Sequence, residues 1–336
     1  MTEAQMIQAG KHPGKTNLTD VDNGANMLQY LADRPAAIIL KHNNPCGAAW
    51  SKDGVAVALE KAFWCDRIAA FGGAVVVNRP FTREAAEIVA ANYFEVVAAP
   101  AFEEGVVEIL KGRKNLRIME LPGLGRLEEL TSSAFLDIKS LADGGIIVQK
   151  SFVNRILEAG DFLPAAATTK DGLAVAARAP SKQELDDLRF AWAVEAGVTS
   201  NSVIFVRDGA TLAIGTGEQD RVGCVELAIF KAYTKYADTL AFTRHGMTLY
   251  ELKLKAKEDA EAAEQLAAAP AGVCLHLCGH PERAEETLAL AGPAVVLDAP
   301  ADPATPPPWD AARLLALATG ARVALRTDLG ELPAPV

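Results

Sequence analysis

The sequence predicts an α/β protein in which helices pack on a largely parallel sheet. Strand-like apolar runs alternate with helix-like runs from Ala36 to Met119, the order of elements that produces such a sheet. The chain has 336 residues, half of them apolar, which is enough to bury a sizeable core. We expect two domains, residues 1–142 and 143–336, linked by the less regular stretch 123–142.

In the first half, short β-branched runs predict the strands and helical spacing predicts the helices. The predicted strands are 36–40, 74–78, 96–99 and 116–119, and the predicted helices are 17–31, 55–64, 82–91 and 103–111. Asp20 and Asp22 lie near the start of the first helix, where a negative charge complements the helix dipole.

In the second half, Ser181 and Glu184 form a capping box that starts a helix running to about Ala196. Its spacing places Leu185, Leu188 and Trp192 on the buried side. The other predicted elements before the C-terminal quarter are strands at 146–149, 174–179, 200–206 and 211–214, and a helix at 222–236.

The C-terminal quarter differs in composition, with an exposed Lys-, Glu- and Ala-rich helix expected at 252–269. Beyond it we expect strands at 273–277, 294–297 and 322–325, helices at 282–290 and 309–317, and a proline-dense loop at 298–308. Cys274, His276, Cys278 and His280 could ligate a soft metal. Because apolar residues alternate with them, a half-buried strand without metal is the favoured interpretation.

The charge of −10 argues against a nucleic-acid-binding surface. The chain has no uninterrupted apolar stretch near ~20 residues, so a membrane span is not expected. Its N-terminus also lacks the pattern of a signal peptide, so we expect a cytoplasmic protein. Five scattered cysteines do not form a disulfide framework.

The stretch from Ile38 to Gly47 is the strongest candidate site. A buried strand stops abruptly at a cation, an imidazole and two carboxamides, which are Lys41, His42, Asn43 and Asn44. Pro45 and Gly47 then turn the chain toward the helix at 55–64, a geometry that presents catalytic groups at the carboxyl end of a sheet. The alternative is an ordinary solvated turn, since Asn, Pro and Gly are common turn residues.

Two glycine-rich turns are weaker signals. Gly72 and Gly73 precede a strand and permit a positive φ or the close approach of a ligand. Gly215 and Gly217 precede a helix, where an anion can bind. A simple tight turn explains the second pair equally well, because the dinucleotide fingerprint and the P-loop are both missing.

Four blocks together resemble the transformylase part of the AICAR transformylase/IMP cyclohydrolase family. The blocks are Leu40 to Gly47 (Lys-His-x-x-Pro-x-Gly), Asp66 to Gly73, Glu95 to Glu104, and Arg178 to Arg221. The last block contains Ser-Asn-Ser-Val at 200–203 and Gly-x-Gly-x-Gln-x-Arg at 215–221. The similarity covers approximately residues 8–240, and no cyclohydrolase domain precedes it, so a stand-alone transformylase is expected.

The resemblance implies a pair of cytidine-deaminase-like three-layer α/β/α subdomains and a formyltransferase. Such enzymes transfer a formyl group from 10-formyltetrahydrofolate to the amine of AICAR, giving FAICAR in purine (IMP) biosynthesis. The resemblance also implies that His42 is the base and that Lys41 is the cation that stabilises the oxyanion. The remaining implied residues are Asn201, Gly72, Glu95, Arg221 and Asn44 for the substrate, and Val222 for folate.

The implied co-substrate is 10-formyltetrahydrofolate, with no metal. The implied partners are AICAR, a second protomer that shares the active site, and a separate IMP cyclohydrolase.

Two departures keep alternatives open. An upstream Arg-Tyr pair of the family has no counterpart before Gln8. The family's folate-contacting Ser-Asp-Ala-Phe-Phe-Pro-Phe-Arg-Asp block is replaced near residues 273–283. The chain could therefore use another formyl donor, complete its folate site with a partner, or bind a nucleotide without turnover.

A zinc deaminase fits the sequence poorly, because residues that its chemistry needs are missing. That chemistry needs His-x-Glu and Pro-Cys-x-x-Cys. Here Asn43 and Asn44 follow His42, and no second cysteine follows Cys46 at the required spacing.

Overall fold

The computed structural model describes residues 3–129, 131, 133–163, 167–168, 170, 172, 174–175 and 179–256, together with the strand backbone at 295–298 and 323–326. The chain divides into two compact units. The first contains Met1–Phe63, Ile68–Val198 and Val206–Thr211, and the second contains Trp64–Arg67, Thr199–Phe205 and Leu212–Val336. The domain boundary expected at residue 142 stays a prediction.

The helices of the described residues agree with the predicted pattern through α7, except for the short helix Arg67–Ala70, which the sequence did not predict. They are α1 (Lys15–Leu28), α2 (Val55–Cys65), α3 (Arg67–Ala70), α4 (Arg83–Ala91), α5 (Val106–Lys111), α6 (Lys182–Glu195), α7 (Arg221–His245) and α8 (Leu249–Lys255). Short 3₁₀ turns follow at Gln29–Leu31, Pro122–Gly125, Leu127–Glu129 and Ala159–Asp161. None of the described helices is long and apolar enough to cross a membrane.

The strands occur near the predicted positions, with four additions in the first unit. They are β1 (Gln5–Gln8), β2 (Ala36–Lys41), β3 (Asn44–Trp50), β4 (Ala74–Val77), β5 (Val96–Ala99), β6 (Arg117–Glu120), β7 (Leu136–Ser140), β8 (Ile146–Lys150), β9 (Ala167–Thr168), β10 (Ala174–Val175), β11 (Ser202–Arg207), β12 (Ala210–Thr216), β13 (Val295–Asp298) and β14 (Val323–Arg326). The sequence did not predict β1, β3, β7 or β9.

The main sheet of the first unit is mixed. Its strand order is β1-β6-β5-β4-β2-β3, and Ala210 at the start of β12 pairs with Ala49 of β3. Only β4, β5 and β6 run parallel, while β2 is antiparallel to both β3 and β4. The α/β class is therefore confirmed, and helices flanking a large sheet agree with a three-layer arrangement. The expectation of a largely parallel sheet holds only for the three strands joined by α4 and α5.

The strand β2 lies at the centre of the core of this unit. Residues 36–40 are completely buried, as a continuous apolar run predicts for a central strand. Helix α1 packs on β2 and β4, and Gly24 permits its close approach. A Cβ added at Gly24 would lie 2.7 Å from Val76 Cγ2. The helix that precedes β2 is thus held tightly against the strand that leads to the candidate site.

The prediction that Pro45 and Gly47 turn the chain into a helix is wrong. Both residues lie in β3, which forms a hairpin with β2 and precedes α2. Leu40 pairs with Pro45 and Ile39 pairs with Gly47, so Cys46 is an extra residue, as in a β-bulge. Because proline cannot donate to a strand ladder, a bulge is one of the few sheet positions that accept it.

Helix α6 begins as predicted, but its buried side differs from the predicted one. Ser181 Oγ accepts the Glu184 N–H at 3.2 Å, and the Ser181 N–H donates to the Glu184 carboxylate at 2.7 Å. Leu188 and Trp192 are nearly half exposed, so their predicted burial is wrong. The buried face instead carries Phe190, Ala193 and Val194, a neighbouring helical stripe.

Charged groups fix α6 to the turn before β2. Arg189 reaches Asp33 at 2.9 Å, and Arg34 bridges Asp33 and Asp186 at 3.0 Å each. Burial alone would raise the pKa of Asp33, but hydrogen bonds from Arg189 and Arg34 outweigh it and hold that pKa below its usual value.

In the second unit, α7 is longer than predicted and ends at His245, and the following Gly246 adopts φ 68°. Asp238 on α7 accepts the Leu249 N–H at 2.8 Å and pairs with Arg67 at 3.1 Å, which orients α8. The predicted strands near 294–297 and 322–325 are confirmed as β13 and β14, which pair in parallel. The other elements predicted beyond Ala256, including the segment Cys274 to His280, lie outside the described residues.

We expect Asn78→Ala to lower the free energy of unfolding by about 2–4 kcal/mol. The Asn78 side chain is buried, accepts the Ala36 N–H, and donates to the Leu31 and Arg34 carbonyls at 2.9–3.0 Å. Its loss leaves these buried backbone groups without their partner. Chemical denaturation measures the change, and Asn92→Ala is the control because Asn92 makes one side-chain bond, to the Ile88 carbonyl. Equal midpoints for the two variants would contradict the assignment.

Candidate active site

The candidate site is built around a two-residue turn between β2 and β3. His42 and Asn43 form its tip, with φ of 56° and 63°. Two successive positive φ values are typical of the hairpin turn whose twist matches that of the flanking strands. Asn and His are among the non-glycine residues that tolerate this conformation best. Both side chains are exposed, so the imidazole of His42 is accessible to a ligand.

Helix α1 holds the turn from behind. Asp20 is 4% exposed and accepts the Asn43 backbone N–H at 2.5 Å. Asn23, one helical turn later, donates to the Asn43 carbonyl at 3.0 Å and to the Gly197 carbonyl at 2.7 Å. The two side chains therefore fix both polar groups of the Asn43 backbone.

The negative charge of the Asp20 carboxyl is disfavoured by burial. Burial raises its pKa, while the Asn43 N–H and the charge of His42 act in the opposite direction, and the net shift is upward. The nearby charge of Glu95 raises the pKa of Asp20 further. A buried carboxyl close to an exposed imidazole is a common arrangement at functional sites.

Lys41 is directed to the neighbouring loop. Its Nζ donates to the Phe71 carbonyl at 2.8 Å, and the residue is half-buried. The ring of Phe71 packs on Tyr93 with centroids 4.8 Å apart. The ammonium group is thus held beside the backbone that leads into Gly72.

Gly72 and Glu95 lie next to each other on this side of the sheet. Gly72 has φ 78°, and its N–H donates to the Tyr93 carbonyl at 2.8 Å. A Cβ at Gly72 would lie 3.9 Å from Glu95 Oε1. The Gly72 backbone therefore lies beside the Glu95 carboxylate and the Tyr93 ring.

Two polar side chains orient Glu95. Arg117 is 5% exposed and pairs with Glu95 Oε2 at 3.4 Å, and Asn17 Nδ2 donates to the same oxygen at 3.3 Å. Arg117 is itself fixed by donating to the carbonyls of Lys11 and His12. The carboxylate is therefore held from one side by a buried cation.

These groups lie at the carboxyl end of β2, as predicted, but not at the carboxyl end of a parallel sheet. β2 ends at this edge, but β4 and β5 begin there, because β2 is antiparallel to β4. The edge is thus the carboxyl end of β2 and the amino end of its parallel neighbours. Asn44, the first residue of β3, pairs with Lys41 and is half-buried at the same place.

The remaining predicted residues lie in the second unit. Asn201 Nδ2 donates to the Glu218 and Gln219 carbonyls, both at 3.1 Å, and its N–H donates to the Glu218 carbonyl at 3.0 Å. Its amide therefore shapes the loop that precedes α7. Arg221 and Val222 open α7, where Asp220 caps the helix by accepting the Gly223 N–H at 2.8 Å.

Sequence reasoning placed Lys41, His42, Asn44, Gly72 and Glu95 in one site, and the structure brings these five together. It missed Asp20 as a site residue, since the acidic start of α1 was interpreted only through the helix dipole. It also missed Asn17, Asn23 and Arg117. The spacing of Asp20 and Asn23, three residues apart on one helical face, was a usable signal.

The mixed sheet and its polar edge describe an α/β protein whose candidate site carries an imidazole, an ammonium and two carboxyl groups. A model of the family described as AICARFT/IMPCHase bienzyme matches residues 1–231. The chain belongs to this family. The matched residues include all eight predicted site residues and end within α7.

Several curated relatives are named bifunctional purine biosynthesis protein PurH. The protein from Caldicellulosiruptor bescii is 36% identical over 223 residues, which are 66% of this chain and 40% of that protein. The protein from Thermosynechococcus vestitus is 37% identical over 231 residues, 68% of this chain and 41% of that protein. The protein from Parvibaculum lavamentivorans is 37% identical over 234 residues, 69% and 40% of the two chains. The matched part spans about two fifths of the length of these relatives.

We expect Asp20→Asn to raise the melting temperature at neutral pH. Because the pKa of Asp20 is raised, the wild-type carboxyl favours the folded state below its ordinary pKa of about 3.9 and loses that contribution as the pH rises through the folded value. Asparagine retains an oxygen for the Asn43 N–H without the buried charge. The gain should therefore vanish near pH 3, as measured by calorimetric melting.

Asp33→Asn is the matched control, with the opposite sign. The pKa of Asp33 is lowered, so its contribution to stability is present at neutral pH and is lost as the pH falls through the folded value. This variant should melt below the wild type at neutral pH and approach it in acid. A loss of stability at neutral pH in both variants would refute the assignment for Asp20.

Proposed function

We propose that the chain is a phosphoribosylaminoimidazolecarboxamide (AICAR) formyltransferase of purine biosynthesis. In this reaction the AICAR amine displaces tetrahydrofolate from 10-formyltetrahydrofolate and forms FAICAR. The observation that carries the proposal is the Lys41–His42 hairpin tip, clustered with Gly72 and Glu95 inside the residues that match the family.

His42 is the proposed base. The amine of AICAR is attached to an aromatic ring and flanked by a carboxamide, so it is a weak nucleophile that must lose its proton as it attacks the formyl carbon. The exposed imidazole at the turn tip can accept that proton. Asp20 contributes by holding the Asn43 N–H, which fixes the backbone on which the imidazole is mounted.

Lys41 is the proposed stabiliser of the oxyanion that forms on the formyl oxygen. An ammonium directed at developing charge is worth most when it is already in position before the reaction. The bond from Lys41 Nζ to the Phe71 carbonyl restrains the ammonium, and its partial burial limits its hydration. When the C–N bond to the folate breaks, the departing nitrogen takes up the proton.

The proposed AICAR-binding groups are polar and include both a negative and a positive charge. Glu95, fixed by Arg117 and Asn17, accepts hydrogen bonds from ribose or carboxamide, and Gly72 gives the ligand access to it. Arg221, in the first turn of α7, supplies a cation for phosphate near a helix N-terminus. Asn44 and Asn201 are the proposed carboxamide contacts, with Asn201 also shaping the loop before α7.

The proposed co-substrate contact is Val222, through its backbone, without a metal. We also propose that the protein works as a homodimer whose active site is shared by the two protomers. A separate IMP cyclohydrolase would consume the FAICAR.

We expect His42→Asn to lower kcat by about 10²–10⁴-fold, the usual contribution of a positioned acid–base group. Asparagine tolerates the positive φ of this position, so the hairpin should persist while the imidazole is lost. Formyl transfer by purified protein measures the effect.

Asn43→Gly is the control for His42→Asn. Glycine adopts the same φ and keeps the N–H that binds Asp20, so turnover should stay near that of the wild type. Full activity in His42→Asn would reject the base assignment.

The replaced folate block favours a second candidate, a homologue that binds the nucleotide but does not turn over 10-formyltetrahydrofolate by itself. That block falls near residues 273–283, beyond the residues that match the family. The proposed transferase should turn over AICAR with this donor as an isolated protein. Binding of AICAR in calorimetry without turnover would instead indicate another donor, a completing partner or a non-catalytic role.

A further inference from the structure

Asn23 of α1 joins two segments that are far apart in the sequence. Its amide donates to the Asn43 carbonyl at 3.0 Å and to the Gly197 carbonyl, just beyond α6, at 2.7 Å. A side-chain amide has two N–H donors, so one amide can serve both carbonyls at once. Asn23 therefore connects the tip of the hairpin to the end of α6, and we call this pair of hydrogen bonds the Asn23 bridge.

The end of α6 lies very close to α1. A Cβ added at Gly197 would lie 2.5 Å from Met27 Cγ and 2.7 Å from Asn23 Oδ1, so a side chain at this position would prevent the approach. Asn26, three residues beyond Asn23, donates to the Ala196 carbonyl at 3.2 Å. Carbonyls at the C-terminal end of a helix lack intrahelical partners, and the two amides of α1 supply donors there.

Other contacts hold α6 in place independently of the turn. Arg34 pairs with Asp186 at 3.0 Å, and Arg189 pairs with Asp33 at 2.9 Å. The side chain of Phe190 is completely buried. The Asn23 bridge thus connects the turn to a helix that is fixed by ion pairs and by its own buried face.

The turn needs this support because the strand ladder does not include its tip. The last pair of the β2–β3 ladder is Lys41 with Asn44, and both residues between them have positive φ. Non-glycine residues are disfavoured in that conformation. Asp20 accepts the Asn43 N–H, which fixes the peptide plane between residues 42 and 43. Asn23 binds the Asn43 carbonyl, which fixes the next plane.

We propose that Asn23 is a positioning residue for His42, an inference that rests on the proposed function of His42 as the base. Two fixed peptide planes determine φ and ψ of Asn43. They thereby determine the direction in which the preceding imidazole leaves the turn. Asn23 contacts neither the substrate nor a reacting atom in this proposal, and it acts only through the backbone of the turn.

The proposal predicts an effect on kcat and not on KM. Glu95, the proposed acceptor of substrate hydrogen bonds, is oriented by Arg117 and Asn17. Neither of these contacts passes through Asn23. Loss of the bridge should therefore leave the substrate-binding groups in place and displace the base.

We expect Asn23→Ala to lower kcat by about 3–10-fold, the population shift that one hydrogen bond supports. The KM for AICAR should stay within about 2-fold, because uniform binding is retained. Asn23→Asp keeps the volume of the side chain but turns acceptors toward two carbonyls, so kcat should fall at least as far. Steady-state formyl transfer by the full chain measures both variants.

Asn26→Ala is the matched control. It removes a bond to the same end of α6 but none to the turn. Its melting temperature should fall about as far as that of Asn23→Ala, while its kcat should stay within about 2-fold of the wild type. An equal loss of kcat in the two variants would show a general effect of α6 and would overturn the proposal.

A double-mutant cycle with His42→Asn separates positioning from a structural role. Once the imidazole is absent, Asn23 has no base to position, so adding Asn23→Ala should change the residual rate by less than about 2-fold. The full 3–10-fold loss in both backgrounds would show that Asn23 acts on another group, and the proposal would fail.

Hydrogen exchange of the Asn43 amide, followed by NMR, gives a readout that does not depend on turnover. This amide should exchange about 3–10-fold faster in Asn23→Ala than in the wild type or in Asn26→Ala. A wild type without formyl transfer would refute the proposed function, and the exchange rates would still decide whether Asn23 holds the turn. Equal exchange in all three proteins overturns the inference whatever the activity.

Discussion

The hydrogen bond from the Asn43 N–H to Asp20 is the interaction on which the candidate site depends. It connects a buried carboxyl of α1 to the tip of a turn whose two residues both have positive φ. Without that acceptor, α1 would hold the turn only through the bond from Asn23 to the Asn43 carbonyl. The close packing of α1 on the sheet at Gly24 places the carboxyl where the turn requires it. The position of His42 is thus decided by how a helix packs on the far side of the hairpin.

The two carboxyl groups of the site have contrasting surroundings. Burial raises the pKa of Asp20 and so disfavours its charge, whereas Glu95 is held by the buried Arg117. The exposed imidazole and the restrained ammonium of Lys41 lie at the same sheet edge. Groups of differing charge preference, brought together on a fixed backbone, are typical of sites that move a proton and stabilise an anion in one step.

Much of the fold could be predicted because local patterns decide it. The apolar run of β2, the alternation through β6 and the Ser181 capping box all describe short-range choices, and each is confirmed. The hairpin after β2 was missed because Pro45 and Gly47 are turn residues by local statistics. The bulge at Cys46 that admits them depends on pairing with Ile39 and Leu40. The predicted burial of Leu188 and Trp192 failed for a related reason, since helical spacing gives a stripe but not its packing partner.

The candidate site shows the same division. Lys41, His42 and Gly72 could be predicted as site residues from their residue types within one turn or loop. Arg117 could not be predicted in this way, because its partner Glu95 lies just before another strand and its other contacts come from the N-terminal segment. The helix dipole was a sufficient local explanation for Asp20, so its contact with Asn43, more than twenty positions away, was not predicted. Contacts of this kind follow from the sheet order and not from periodicity.

The positive φ at position 42 means that the catalytic side chain can change in evolution without a change of fold. Asparagine or glycine can occupy a positive φ there, so a lineage can discard the imidazole and keep the hairpin intact. In such a lineage position 20 no longer needs a charged side chain. A neutral side chain that still accepts the Asn43 N–H would hold the turn equally well. A family member that has given up catalysis should therefore be recognisable by paired neutral residues at these two positions on an otherwise unchanged backbone.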